Sequence, residues 1–271
     1  MKKYNLITEL PKNYEAEFLV EYNKINPINV IKAKLIIDWT KKYYQNTKTV
    51  TPPDYVQYLL DTWYYSEHIA YEVYDQDYYV TDIWCCYQIY SRKYLLSIIK
   101  SNSLQEDYSI FNYLNNINTV VDLGNGVGYS TALLKQIFSQ AEVIGTNIKS
   151  TKQYRYCEKM ADVYDFKMIE NEKTIEKQVD FLFASEYFEH ILDPITDVIQ
   201  IINTIKPRYM FLANSFNTYS VGHFETYDVK GIGKVDQTKI SRLFNKTLRD
   251  NGYKKIKTKL WNNKPALWEL M

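Results

Sequence analysis

The spacing of apolar residues changes character about a third of the way along the chain. In the first hundred residues apolar positions recur at three- and four-residue intervals, the period of a helix with one buried face. One helix is predicted from Pro27, with Ile28, Ile31, Leu35 and Trp39 inward. A second is predicted from Thr51, whose hydroxyl suits an N-cap. Pro52 then takes the first helical position, Asp54 the acidic first turn, and Tyr55, Leu59 and Trp63 the buried face. A third starts near Thr81 or Asp82 and presents Ile83, Tyr87, Tyr90 and Tyr94. Residues 1–26 are polar and mixed, which reads as an extended arm or a short packed segment.

After about residue 105 short apolar runs at 119–123, 142–145, 180–184 and 209–213 alternate with helical patterns. That alternation predicts a parallel sheet with helices on both faces. The tail departs from it: runs at 253–261 and 266–270, joined by Asn262-Asn263-Lys264-Pro265, predict an antiparallel hairpin. The organisation expected is a mainly helical region over 1–104 and an α/β domain over 105–271.

Composition narrows the class. With 46% hydrophobic and 24% charged residues the chain can form an ordinary soluble core. Its 27 tyrosines crowd the first hundred residues and suit a half-wet cleft or an interface, although an AT-rich coding sequence gives the same excess. A net charge of +1 provides no global attraction to a phosphate backbone. Cys85, Cys86 and Cys157 fit neither a disulfide framework nor a zinc spacing, so free thiols in a reducing cytoplasm are expected. No early apolar run resembles a leader, and none approaches the ~20 residues of a membrane span. A soluble cytoplasmic protein without membrane partners is expected; the oligomeric state is not legible.

The strongest local signal is Thr119-Val-Val-Asp-Leu-Gly-Asn-Gly-Val-Gly-Tyr-Ser-Thr131, a buried strand, a glycine turn and a helix carrying Ala132, Leu133, Ile137 and Phe138. Glycines let the backbone approach a ligand, and the new helix points amides at a carboxylate or phosphate. The dinucleotide fingerprint needs glycine at 129, where Tyr129 stands. The spacing present, D-x-G-x-G-x-G from Asp122, resembles class I S-adenosylmethionine-dependent methyltransferases. Further on, Val-Asp-Phe-Leu-Phe-Ala-Ser-Glu-Tyr-Phe-Glu-His-Ile-Leu-Asp-Pro at 179–194 resembles the fourth strand and following E-H-x-x-D-P segment of the small-molecule members. A helix at 195–205, a Lys206-Pro207 turn (with Arg208-Tyr209 where the family has two glycines), a fifth strand and the closing hairpin complete a resemblance over about 105–271.

That resemblance implies a Rossmann-like seven-stranded sheet with an antiparallel C-terminal hairpin and S-adenosylmethionine as cofactor. Asp122, Gly124, Asn125, Gly126, Gly128 and Ser185 are the residues it places around the cofactor. One position departs: the second strand of the family ends in an acid that holds both ribose hydroxyls, and here Asn147 stands there. An amide holds one hydroxyl well and the other less well, at a cost of about 1–2 kcal/mol, so Asn147→Asp is expected to tighten binding. The same departure keeps open a non-catalytic binding role.

For a hydroxyl acceptor the enzyme must remove a proton, and histidine titrates near neutrality. His68 falls in the helical region and reads as structural. His190 lies in the E-H-x-x-D-P segment, and His223, with Glu225 nearby, lies in the 214–227 segment after the fifth strand. Segments at the carboxyl ends of strands line active sites, so His223, His190 and Glu186 are the catalytic candidates. The spacing of Glu189, His190 and Asp193 fits no zinc motif, and no metal is expected. Thr51-Pro-Pro-Asp-Tyr55 looks like the D-P-P-Y tetrapeptide of amino methyltransferases but precedes the glycine loop and opens a helix. Lys254, Lys255, Lys257, Lys259 and Lys264 either guard an edge strand or face a nucleic acid. The function expected is methyl transfer to an oxygen of a small molecule, a sugar or related metabolite among the candidates. Nucleic-acid methylation and a non-catalytic binding protein are the alternatives.

Overall fold

The computed structural model describes residues 12–26, 32–44, 53–89, 95, 99, 104, 109–259 and 265–271. Five parallel strands, β1 (Thr119–Leu123), β2 (Glu142–Thr146), β3 (Lys167–Ile169), β4 (Phe181–Ser185) and β5 (Tyr209–Ala213), form the heart of the fold. A separate hairpin pairs β6 (Thr226–Val229) with β7 (Gly233–Asp236). The tail supplies β8 (Tyr253–Ile256) and β9 (Ala266–Leu270), antiparallel to each other, with β9 antiparallel to β5. The main sheet therefore has seven strands in the order β3-β2-β1-β4-β5-β9-β8. Every residue of β1 and β4 is buried, as continuous apolar runs covered on both faces require.

The helices are α1 (Tyr14–Ile25), α2 (Ala33–Tyr44), α3 (Pro53–Tyr65), α4 (Asp77–Ile89), the short α5 (Ile110–Tyr113), α6 (Tyr129–Ile137), α7 (Lys152–Tyr164), α8 (Pro194–Ile205) and α9 (Gln237–Asp250). A 3-10 turn at Tyr71–Asp75 joins α3 to α4. The α/β fold class expected from the sequence is the one observed. The strand order reverses between β1 and β4, and at the carboxyl ends of the strands beside that switch a ligand crevice opens in such sheets.

Several boundaries differ from expectation. The segment read as an arm or packed stretch contains α1, whose Tyr14, Phe18 and Ile25 are buried on one face. In α2 the inward residues are Ile36, Ile37 and Trp39, while Leu35 is half-buried; Pro27, Ile28 and Ile31 lie outside the described residues. Leu59 and Trp63 line the buried face of α3; Thr51, Pro52 and the side chains of Asp54 and Tyr55 lie outside the described residues. The third helix starts at Asp77, four residues before Thr81. The Thr81 hydroxyl donates back to the Asp77 carbonyl at 2.7 Å, so it serves the helix interior, not its cap. Tyr90, Tyr94 and the side chains of Tyr87, Cys85 and Cys86 lie outside the described residues.

Several elements escaped the sequence reading, among them β3, β6, β7 and α9. β3 has only three residues at a sheet edge, and β7 buries only Val235. α9 had a signal: Ile240, Phe244, Thr247 and Leu248 recur at helical spacing, and the Asp236 carboxylate accepts from the Lys239 amide as an N-cap.

The helical region shares its interior with the sheet. Phe18, Ile36, Trp39 and Trp84 join one apolar cluster with Val120, Val143, Phe181 and Phe211. Leu59, Trp63 and Val73 join a second cluster with Val121, Leu182, Met210 and Ile201. Leu104 also bridges Thr258 beside the tail strands. The change near residue 104 is thus a change of local pattern within a joint core. Among the described residues no helix is long and apolar enough to cross a membrane.

Candidate functional site

β1 delivers the glycine loop at the centre of the sheet. Gly124, Gly126 and Gly128 have φ of 59°, 55° and 92°, the left-handed region where a side chain is strained. At Gly124 a Cβ would come within 2.5 Å of the Tyr187 ring, which lies on the loop. The loop is closed by its own backbone: Gly126 N–H donates to Gly124 O, Gly128 N–H to Asn125 O, and Asn125 N–H to Thr146 O at the end of β2. The Gly124 amide donates to Thr146 Oγ1 at 3.2 Å.

Asn125 is fully buried. Its Nδ2 donates to Thr131 Oγ1 at 2.8 Å and touches Met168 Sδ, while its Oδ1 accepts from the Cys157 thiol. The side chain therefore ties the loop to β3 and α7, leaving only its backbone to face a ligand. Gly145 on β2 makes room for this, because a Cβ there would strike the Asn125 amide.

Asp122 is 1% exposed, and its Oδ2 accepts from Ser130 Oγ and Thr131 Oγ1, both at 2.7 Å. Burial pushes its pKa up to about 7, with the two hydroxyls pulling it back. The carboxyl thus meets two hydroxyls in the first turn of α6, whose N-cap, Gly128, carries no side-chain cap.

Asn147 is engaged as well. Its Nδ2 donates to Gly126 O at 2.8 Å, and its Oδ1 accepts from the Ile148 amide at 2.8 Å. An aspartate here would set a carboxylate oxygen against the Gly126 carbonyl, two acceptors without a proton between them. Asn147→Asp would therefore set a loss in the fastening of the loop against any gain at the ribose.

At the end of β4, Ser185 is buried and Glu186 turns the chain with φ 53°, its carboxylate exposed. A 3-10 turn, Phe188–His190, follows. Glu189 is 0% exposed; its Oε1 accepts from the Ser215 amide at 2.5 Å, and its Oε2 has no hydrogen-bond partner. Burial, then the charge of Glu186, raises its pKa well above the usual carboxylate range. Ser215 Oγ donates to Glu186 Oε1 at 3.1 Å, so one serine holds both carboxylates.

His223 is 3% exposed and lies with Nδ1 3.0 Å from Thr218 O. Burial lowers its pKa, opposed by the charge of Glu186. Its ring stands edge-on to His190 with centroids 4.8 Å apart. His190 Nδ1 meets the Tyr74 hydroxyl at 3.0 Å, and desolvation together with the neighbouring His223 takes its pKa down to about 3. Gly222 permits this packing, since a Cβ would strike both His190 and Tyr74.

The fold thus brings Glu186, Glu189 and His223 together, each with one ligand atom within 4.8 Å of the others. The linear neighbours weighed as metal ligands do not converge. Asp193 instead caps α8, accepting from Thr196 N at 2.9 Å, and also accepts from Lys230 N at 2.9 Å. Glu225 is exposed, and exposed His68 pairs with Glu72 across 3.4 Å beyond the end of α3. Glu189 was weighed only as a metal ligand and set aside, and Ser215, Tyr74 and Tyr187 were not singled out; Ser215 and Tyr74 meet the site through partners distant in sequence.

The helical region is bonded over the strand ends. Trp63 Nε1 donates to His223 O at 2.7 Å and Tyr64 OH to Ser220 O at 3.0 Å, while Tyr64 stacks on Tyr219 with centroids 4.4 Å apart. On the other side Lys152 Nζ donates to Asp75 O and Asp77 Oδ1, and Gln153 Nε2 to Tyr74 O. Trp84 Nε1 donates to Tyr129 OH at the start of α6, at 3.1 Å.

No family model matches the chain, and no curated protein matches it in sequence. Among solved structures it is similar to an O-methyltransferase family protein from Burkholderia thailandensis, at 13% identity, 86% of this chain, 70% of that chain and a TM-score of 0.48. It is also similar to the mitomycin 7-O-methyltransferase MmcR, at 10% identity over 96% of this chain and 72% of that one, with a TM-score of 0.46. The Methanococcus jannaschii fibrillarin pre-rRNA processing protein matches at 11% identity over 58% of this chain and 66% of that one, with a TM-score of 0.40.

Proposed function

We propose that the chain transfers a methyl group from S-adenosylmethionine to an oxygen of a small-molecule acceptor, with sugars and related metabolites as one candidate class. The observation that carries this reading is the glycine loop: three glycines in left-handed conformation at the end of the central strand, before a helix whose first turn is met by Asp122. The dinucleotide fingerprint needs glycine at 129, where Tyr129 stands, and the D-x-G-x-G-x-G spacing favours S-adenosylmethionine.

Gly124, Gly126, Gly128 and the Asn125 backbone would lie under the cofactor, with Ser185 beside it and Asn147 acting through the loop it fastens. When bound, the cofactor supplies an electrophilic methyl on sulfur. Glu186 or His223 would take the proton of the acceptor hydroxyl as it is methylated. His190, held neutral down to about pH 3, takes no proton near neutrality and acts by positioning His223 and Tyr74. The helical region over the strand ends orders the acceptor and keeps water from the methyl. A reducing cytoplasmic setting belongs to this reading, in keeping with the buried Cys157 thiol beside the loop.

Calorimetry on the full chain tests it. Micromolar-range binding of S-adenosylmethionine or its demethylated product is expected, with thermal stabilisation by either. Preference for NAD, or no binding at millimolar ligand, overturns the reading. A non-catalytic binding role is the second reading, favoured by an Asn147 amide already spent on Gly126; cofactor binding without turnover across acceptor panels is its outcome.

A further inference from the structure

We infer that Glu186, Glu189 and His223 form a binding site for a divalent first-row transition cation of the manganese or zinc kind. The three side chains bring one carboxylate oxygen each and one ring nitrogen within 4.8 Å of one another. A bound cation draws such ligands in to bonds of about 2.0–2.2 Å. The sequence spacing of Glu189, His190 and Asp193 gave no such site, because the third ligand comes from the far side of β5.

The independent observation is Glu189. Its side chain is 0% exposed, and Oε2 has no hydrogen-bond partner, while Oε1 is held by the Ser215 amide. A buried carboxyl oxygen left without a donor is costly, and Ser215 holds a second carboxyl, Glu186, beside it. Two carboxyls and an imidazole around one point make a ligand set for a cation.

The surroundings are those of a prepared ligand set. With Nδ1–H donating to Thr218 O, the His223 lone pair sits on Nε2, and the Trp63 indole fixes the backbone of the same residue. Ser215 orients both carboxylates, by its amide to Glu189 and its hydroxyl to Glu186. Three protein ligands leave coordination positions open, as in catalytic sites rather than closed structural ones. The imidazole nitrogen disfavours magnesium and calcium, which take oxygen donors. An oxygen of the acceptor would fill an open position; that last step rests on the methyl-transfer reading, whereas cation binding does not.

The test uses the full chain without cofactor. Cobalt(II) titration followed by visible absorption, and manganese(II) by electron paramagnetic resonance, are expected to show one bound equivalent. Glu189→Gln and His223→Gln are each expected to weaken binding about tenfold or more and to abolish stabilisation by the metal on heating. Glu186→Gln is the further variant should either of these fold poorly, as judged by circular dichroism. Absence of one-equivalent binding at millimolar metal, or undiminished binding in every folded variant, overturns the proposal. Wild type that binds no metal, beside a Glu189→Gln chain that melts higher, identifies a proton shared by the two carboxyls and overturns it too. Because metal binding is read without S-adenosylmethionine, failure of one proposal is distinguishable from failure of the other.

Discussion

A carboxyl closed off from water must be neutral, paired or hydrogen-bonded, and Asp122 combines the first and the last. Its pKa is about 7 in the folded chain against 3.8 when free. Between those values the folded state holds a proton that the unfolded state has released, so stability falls as pH rises from about 4 to about 7, then levels off. The shift corresponds to about 4 kcal/mol. Asp122→Asn keeps an acceptor for Ser130 and Thr131 but does not titrate. Urea unfolding at pH 4 and pH 8 is therefore expected to show the variant gaining on wild type by up to about 4 kcal/mol over that interval. Parallel pH dependences in the two proteins would rule out Asp122 as the source. The neighbouring Asn125 and Asn147 show the same logic without charge: each spends its amide on the loop, so the D-x-G-x-G-x-G spacing names residues that build the cradle as much as any that line it.

At the scale of elements, the helix starts decide how the site is held. Asp193 of the E-H-x-x-D-P segment caps α8 through Thr196 N and Thr196 Oγ1, and it also accepts from Lys230 N before the turn into β7. It thereby joins the helix behind β4 to the β6–β7 hairpin. Asp193→Ala should lower stability by about 1–2 kcal/mol in thermal or urea unfolding, more than a solvent-facing cap whose loss frees a single amide. A change within a few tenths would mean that water replaces the cap at no cost. This segment also marks the limit of what the sequence carried. Four of the five parallel strands, the glycine turn and the closing hairpin were legible because buried strands and tight turns have local chemistry. Glu189 was visible as a letter, but its partner Ser215 lies 26 residues away, and the Tyr74–His190 contact spans 116. α9 was legible in its spacing of Ile240, Phe244 and Leu248 and was missed; β3 and β7, with three and four residues, had too little pattern to read.

At the scale of the molecule, the choice between a small acceptor and a nucleic acid turns on where charge and aromatic rings lie around the strand ends. Trp63, Tyr74 and Trp84 turn inward and bond to His223, His190 and Tyr129, as rings in a cover do. Tyr58, Tyr65, Tyr71 and Tyr219 are exposed and offer faces on which bases could stack. Yet the charges around Tyr219 are Asp61 and Glu225, and Tyr71 adjoins Glu72, the wrong sign for a phosphate chain. Lys254 and Lys255 of β8 and Lys257 after it lie elsewhere, and Lys264 lies outside the described residues. β8 is four strands from β1 in the sheet, about 19 Å at the usual strand spacing, and Lys255 covers the Trp268 ring at 5.6 Å. Lysines so placed guard an edge strand. Binding of single-stranded or duplex DNA and RNA is therefore expected to be negligible even at low salt, by fluorescence anisotropy, with wild type indistinguishable from a chain carrying Lys254→Ala, Lys255→Ala and Lys257→Ala together. Binding that falls steeply with salt and weakens in the triple variant would instead make the exposed tyrosines a stacking platform and turn the acceptor into a nucleic acid.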